Sequence, residues 1–231
     1  MTVKPGAPWV AHRPQFVVLI DHWPLLGLRV RTARLELRLP TEDEMAALAE
    51  VAAHGVHEPG KRRFLVSWAE GTPAERARAV VQNQWRRRGE WTPQSWSLDL
   101  AVFVEGQPVG VQDVWARDYA VRREVATGSW LGTAYHGRGI GTEMRAAVLH
   151  LAFAGLGAAH ATSGSFVDNA APLAVSRKLG YQPDGISRDL CDGEVLVSQY
   201  LRLTRENWER TDRPAVSLTG LEPCLELFGA R

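Results

Sequence analysis

The sequence predicts an α/β domain. Two observations lead there. Stretches of alternating apolar residues interleave with stretches of helical periodicity. Residues 128 to 142, Gly128-Ser-Trp-Leu-Gly-Thr-Ala-Tyr-His-Gly-Arg-Gly-Ile-Gly-Thr142, also run from the end of a strand near Leu131 through a glycine-rich loop directly into a helix. That order makes a phosphate cradle. Glycines permit φ > 0 and close backbone approach, and the helix N-terminus presents unpaired amides with partial positive charge. Arg138, between Gly137 and Gly139, adds a fork that suits phosphate oxygens. A tight turn with no ligand would carry the same glycines. A dinucleotide fingerprint needs a glycine where this chain has Thr142 or Met144. A P-loop needs a Gly-Lys-Ser/Thr tripeptide, which is absent.

Composition bounds the rest. The 231 residues fit one large domain or one domain with extensions. A hydrophobic content of 45 % and a charged content of 23 % are those of an ordinary globular chain. A formal net charge of +1 argues against nucleic acid or an anionic membrane as partner. Cys191 and Cys224 form no disulfide framework and no metal spacing, so a cytoplasmic protein without bound metal is expected. Residues 16 to 20 are the longest apolar run near the start, too short to span a bilayer and without the flanks of a signal peptide. Nine tryptophans are read as packing and interface residues.

In chain order, residues 1 to 33 are an N-terminal arm punctuated by Pro5, Pro8, Pro14 and Pro24, either docked through Trp9, Trp23 and Leu25–Leu26 or loose. Leu35, Leu37 and Leu39 alternate as a strand. Thr41-Glu-Asp-Glu44 is a capping box, followed by a buried stripe of Met45, Leu48 and Val51 or Ala52. Thr72-Pro73-Ala74-Glu75 opens a second helix with Ala77, Val81 and Trp85 on one face and Arg86–Arg88 near its C-terminus, a solvated triplet. Between them, His54, His57 and Glu58 could hold a metal, but Pro59–Gly60 breaks the helix that would aim them together. Residues 96 to 104 and 109 to 115 form a strand pair joined by the turn Glu105-Gly106-Gln107-Pro108, and 121 to 131 a third strand. Gly128 within it predicts a bulge or a close approach. Met144, Ala147, Val148, Leu151, Ala152 and Gly155 share one helix face. Residues 159 to 167 form a strand of small residues, Ser163, Gly164 and Ser165 among them. Asn169 caps a helix that ends at Leu179–Gly180. A last strand covers 195 to 203, Thr204 starts a short helix, and 209 to 231 form a C-terminal tail with apolar spots at Leu221, Leu225, Leu227 and Phe228.

The loop His136-Gly137-Arg138-Gly139-Ile140-Gly141 resembles the acyl-CoA loop of the GNAT N-acetyltransferase superfamily, Gln/Arg-x-x-Gly-x-Gly/Ala, with His136 at the first position. Asn169-Ala-Ala-Pro-Leu-Ala-Val-Ser-Arg-Lys-Leu-Gly-Tyr181 is similar to its Asn-x-x-Ser/Ala…Glu-Lys-Leu-Gly-Phe helix. The likeness covers roughly residues 33 to 203 and is closest to the Rim-type branch, which includes ribosomal-protein-alanine acetyltransferases. It implies a mixed, twisted sheet of six or seven strands with helices on both faces and a splayed central strand pair, within a domain over residues 34 to 208. It implies transfer of an acyl group, acetyl first and succinyl as the alternative, from acyl-CoA to a primary amine of a small molecule or a protein N-terminus, within a ternary complex. By family habit the chain is a homodimer. A non-catalytic acyl-CoA-binding module and a nucleotide-binding oxidoreductase are the competing readings.

The resemblance also assigns roles. The pyrophosphate of acetyl-CoA lies on the amides of Gly137, Arg138, Gly139, Ile140, Gly141 and Thr142, with His136 orienting the loop and Asn169 at the neighbouring helix. The thioester carbonyl takes a hydrogen bond from the Trp130 or Leu131 amide. Many members place a glutamate where Ala126 stands. Glu124, two residues back on the same face, is the candidate base, or else a surface partner of Arg122 or Arg123, and Asp113 and Asp118 are runners-up. Ser176 stands where many members carry the tyrosine that protonates the leaving thiolate. It either supplies a hydroxyl donor there or only makes room. Residues 54 to 71 lie over the acceptor pocket in the family.

Overall fold

The computed structural model describes residues 17–58, 60, 63–191 and 193–231. Residues 1–16, which include Trp9 and three of the arm's prolines, lie outside it, as does Pro59. In chain order the elements are α1 (Leu19–His22), β1 (Arg29–Arg31), β2 (Leu35–Arg38), α2 (Glu42–Ala53), α3 (Pro73–Gly89), β3 (Ser95–Val104), β4 (Gln107–Arg117), α4 (Tyr119–Arg122), β5 (Glu124–Leu131), α5 (Ile140–His150), β6 (His160–Phe166), α6 (Ala170–Lys178), β7 (Gln182–Cys191), β8 (Glu194–Thr204), α7 (Arg205–Arg210) and β9 (Ser217–Thr219). Among the described residues they build one sheet in the order β7-β8-β6-β5-β4-β3-β2-β1-β9. Every neighbouring pair is antiparallel except β5 with β6.

The mixed sheet between helices is the expected architecture, with nine strands rather than six or seven. β1 and β9 pair with each other at one edge, so stretches on both sides of residues 34 to 208 extend the sheet. Beyond β9, Cys224 and Phe228 are fully buried. Trp91 and Trp96 donate their indole N–H groups to the Leu227 and Phe228 carbonyls at 2.9 and 3.0 Å, and both rings meet the Phe228 ring edge-on. An indole needs a partner for its one donor when buried, and a turn carbonyl supplies it.

One face of the sheet carries α2 and α3. Both start on the capping boxes read from sequence: Thr41 and Thr72 each accept from the amide three residues on, and Glu44 and Glu75 return the bond. The Arg38 guanidinium also grips Glu44 and holds its carboxyl down at about 2. α3 is rotated relative to the sequence reading. Trp85 is 53 % exposed, and Val80 and Gln84 turn inward. Polar contacts set that rotation: Gln84 Nε2 donates to the Asp99 carbonyl and Asn83 Nδ2 to the Asp99 carboxylate.

The opposite face carries α5 and α6. Met144, Ala147, Val148, Leu151 and Ala152 are buried as predicted, and Arg145, Ala146 and Leu149 are buried with them, so α5 is enclosed nearly all round. The β3–β4 hairpin turns on Glu105 and Gly106, both with positive φ, as a two-residue turn requires. The segment before β5 is not strand. Tyr119–Arg122 is a helical turn between Asp118 and Arg123, both left-handed. β5 itself pairs regularly with β4 through Gly128, and the register shifts instead opposite Val102 and Phe103, where Val109 of β4 is the extra residue, and between Pro183 and Ile186 of β7.

Candidate active site

The loop after β5 brings its glycines to the start of α5. Gly137 and Gly139 have φ of 73° and 77°, and a Cβ would meet nothing within 4 Å at Gly137 and only the Arg34 guanidinium, at 3.5 Å, at Gly139. Gly141 takes the helical conformation and lies against Leu131. Among the described residues, the N–H groups of residues 137 to 141 donate to no acceptor, whereas those of Thr142 and Glu143 turn back to the Gly139 carbonyl. A run of unpaired amides at a helix N-terminus is an anion site. The loop is braced from outside. A His136 ring nitrogen bonds the Leu131 carbonyl at 3.0 Å, Arg34 reaches the Arg138 carbonyl and the Glu143 carboxylate, and Thr32 donates to Glu143. Arg138 lies over the Tyr135 ring, with its cation free of any carboxylate among the described residues.

β5 and β6 are in register only at Glu124–His160, Val125–Ala161 and Ala126–Thr162, and beyond that the strands part. Gly132 donates its N–H to the Val109 carbonyl on β4. Strand alternation then turns the Trp130 amide toward β4 and the Ser129 and Leu131 amides toward the gap. Of the two oxyanion donors named from sequence, Leu131 is the one whose N–H faces the opening.

Beneath the gap, on the α5–α6 side, lies a buried polar cluster. Arg145, 4 % exposed, donates to the Ser163 and Ser176 hydroxyls at 3.1 and 3.4 Å and to the Ser129 hydroxyl at 3.3 Å. Its Nε has no partner, and no carboxylate pairs with it among the described residues. Thr127 and Tyr181 hydroxyls are 3.4 Å apart beside it, and burial raises the Tyr181 phenol above its usual range. Ser176 accepts from Arg145, which leaves its own proton free to donate. Sequence reasoning missed Arg145. It lies off the apolar face of Met144, Ala147, Val148 and Leu151, so helical periodicity reads it as solvent-facing and gives no signal.

On the α2–α3 face the cross-strand row Asp99, Asp113, Gly128 leads from β3 to the edge of the gap. Asp99 accepts from Asn83 and Ser97. Asp113 is half-buried, with Oδ1 shut away and unpartnered. Burial first, then the neighbouring Asp99 carboxyl, push its carboxyl up to about 7. Farther along this face, Trp68 lies 5.6 Å from Trp130, ring to ring, and Phe64 lies 5.1 Å from Trp68. These residues belong to the segment between α2 and α3.

Three sequence candidates lie elsewhere or act otherwise. Glu124 sits at the opposite end of β5 from the loop, its carboxylate held by Arg122 at 3.0 Å and by Arg202. The alternative role as an arginine partner is what the geometry shows. Asp118 is exposed beyond the far end of β4. Asn169 occupies the N-cap of α6, but its side chain makes no capping bond. Among the described residues no group of three or more metal-ligating side chains occurs, and no helix is long and apolar enough to cross a membrane.

A strand-loop-helix anion cradle beside a parted pair of parallel strands defines an α/β protein suited to a phosphate-bearing ligand. The chain belongs to the GNAT acetyltransferase family, whose acetyltransferase domain it matches over residues 34–182. Among solved structures it is similar to RimL, the ribosomal L7/L12 alpha-N-protein acetyltransferase in complex with coenzyme A, at 18 % identity and a TM-score of 0.57, covering 75 % of this chain and 95 % of that one. It is also similar to Mycobacterium smegmatis RimJ in complex with CoA-disulfide, at 16 % identity and a TM-score of 0.60, covering 80 % and 88 %. The GNAT-family acetyltransferase from Bacillus anthracis gives 16 % identity and a TM-score of 0.60, covering 77 % and 99 %. Rim-type enzymes are thus among its structural neighbours, as the sequence resemblance anticipates.

Proposed function

We propose that this chain moves an acetyl group from acetyl-CoA directly to a primary amine, of a small molecule or a protein N-terminus, within a ternary complex. The unpaired amides of residues 137 to 141, placed where β5 leaves β6, carry the reading. They suit a pyrophosphate, and the gap admits a narrow pantetheine arm along the open edge of β5. The Leu131 N–H is the donor for the thioester oxygen as it gains charge. Ser176 is the hydroxyl donor toward the leaving sulfur. Arg145 behind it stabilises negative charge that develops there, in a setting of low dielectric where such a contact is strong. Trp68, against Trp130, and Phe64, against Trp68, make the segment 54 to 71 the determinant of acceptor choice.

The experiment is an acetyl-CoA assay of the full chain with a panel of primary amines, following thiol release and identifying the amide by mass spectrometry. Amide formation dependent on both partners is the expected result. Tight acetyl-CoA binding with no amide on any amine would overturn the reading in favour of a non-catalytic module.

A further inference from the structure

We propose that Asp113 is the residue that holds the acceptor's ammonium and takes its proton. The inference rests on the acetyl-transfer reading above and names the acceptor as a cationic primary amine.

The row Asp99–Asp113–Gly128 crosses three strands in register, and the strand that would continue it has already turned away. Gly128 has no side chain to block the way. A Cβ there would lie 2.8 and 3.3 Å from the two Asp113 carboxylate oxygens, so the carboxylate leans over β5 toward the gap. The Trp115 ring comes within 3.3 Å of the same point, and Trp130, two residues beyond Gly128, shares that face. A carboxylate between indoles is a seat for an ammonium, through charge and through the ring faces. Ala126, also on this face, offers no competing acid.

The surroundings tune the group. Asp99 from β3 disfavours its ionisation, and Arg87 from α3 and Arg145 from α5 favour it more weakly. Arg86 and Arg87 also act on Asp99 itself. The result is a carboxyl poised near neutrality, where a base works best.

The step balances as follows. The ammonium gives one proton to Asp113 and regains a lone pair. That pair attacks the thioester carbon, the C–N bond forms, and the C–S bond breaks with its electrons on sulfur. The nitrogen's remaining excess proton passes to sulfur, giving amide and thiol, and Asp113 returns its proton to solvent.

The test uses the full chain, acetyl-CoA and a panel of phenethylamine, putrescine and a serine-leading peptide, with kcat measured against pH on the best acceptor. For the wild type an acid limb near neutrality is expected. Asp113→Asn should lower kcat about 100-fold or more and remove that limb, while acetyl-CoA affinity by calorimetry stays unchanged, which shows that the fold is intact. Asp99→Asn, which removes the neighbouring charge, should keep activity and move the limb to lower pH. Gly128→Ala, which sets a methyl against the carboxylate, should reproduce the loss seen with Asp113→Asn. An Asp113→Asn enzyme with wild-type turnover, or an Asp99→Asn limb that does not move, overturns the assignment and leaves the acetyl-transfer reading standing. A wild type that acetylates no amine overturns both.

Discussion

Replacing Gly139 with alanine tests the phosphate cradle against a matched control. Gly139 has φ of 77°, and an added Cβ would meet only Arg34 Nη2 at 3.5 Å. Gly106, in the β3–β4 turn, has φ of 78° and open space around its Cβ position. Both alanines are forced into the left-handed region without a clash, at about 1–2 kcal/mol each. For a chain of this size that lowers the melting temperature by roughly 2–8 °C in both variants. Only the Gly139 methyl stands among the unpaired amides. Acetyl-CoA should therefore bind Gly139→Ala at least about tenfold more weakly, about 1.4 kcal/mol, and bind Gly106→Ala as it binds the wild type. Calorimetric titration alongside melting curves reads both effects. Equal affinity in the two variants, at equal loss of stability, would refute the cradle.

Three further predictions address other parts of the site and sheet. Ser176→Ala should slow single-turnover acetyl transfer about 10- to 100-fold, the value of one hydrogen bond to developing charge, and leave acetyl-CoA affinity unchanged; a rate equal to wild type would show that the thiolate leaves unaided. Glu124→Gln should leave turnover within about twofold of wild type, because its carboxylate serves a partly exposed ion pair at the end of β5 away from the loop, and such a pair is worth little; a large loss of kcat would return the base to β5. Gly110→Ala would drive a methyl into the Trp130 carbonyl oxygen and to 2.8 Å from Leu131 Cα. It should cost at least about 1–3 kcal/mol, and an unaltered melting temperature would contradict the β4–β5 pairing.

What was legible in the sequence was what single residues dictate. Two capping boxes, a hairpin turn and a strand-loop-helix junction each depend on a few neighbouring side chains, and each is present, the turn tightened from Glu105-Gly106-Gln107-Pro108 to its first two residues. Elements shaped by distant partners were not. β7 carries no buried residue, so no apolar alternation marks it, and Gln182-Pro183-Asp184-Gly185 has the look of a loop. β1 and β9 are three residues each, and β9 exists because it pairs with β1, which itself pairs with β2. Glu124 was placed on the right strand face, but Arg202, which claims it, comes from β8 far along the chain. Arg145 and Asp113 owe their significance to neighbours on other elements: a ring of hydroxyls for one, a gap across Gly128 for the other. Periodicity says which way a side chain points and nothing about what it meets.

The seam between β1 and β9 has a consequence for how the chain is made. Synthesis delivers the family domain first, and β1 must wait with one bare edge until β9 arrives. Until Phe228 is in place, Trp91 and Trp96 face an empty berth and their indole N–H groups lack the carbonyls that satisfy them. A nascent or truncated chain therefore displays a sticky aromatic surface and a free strand edge, the features that invite aggregation and chaperone capture. The stretch around β9 and Phe228, made after the family domain, thus acts as a latch, and degradation of chains that stop before it would remove species that never hide those tryptophans.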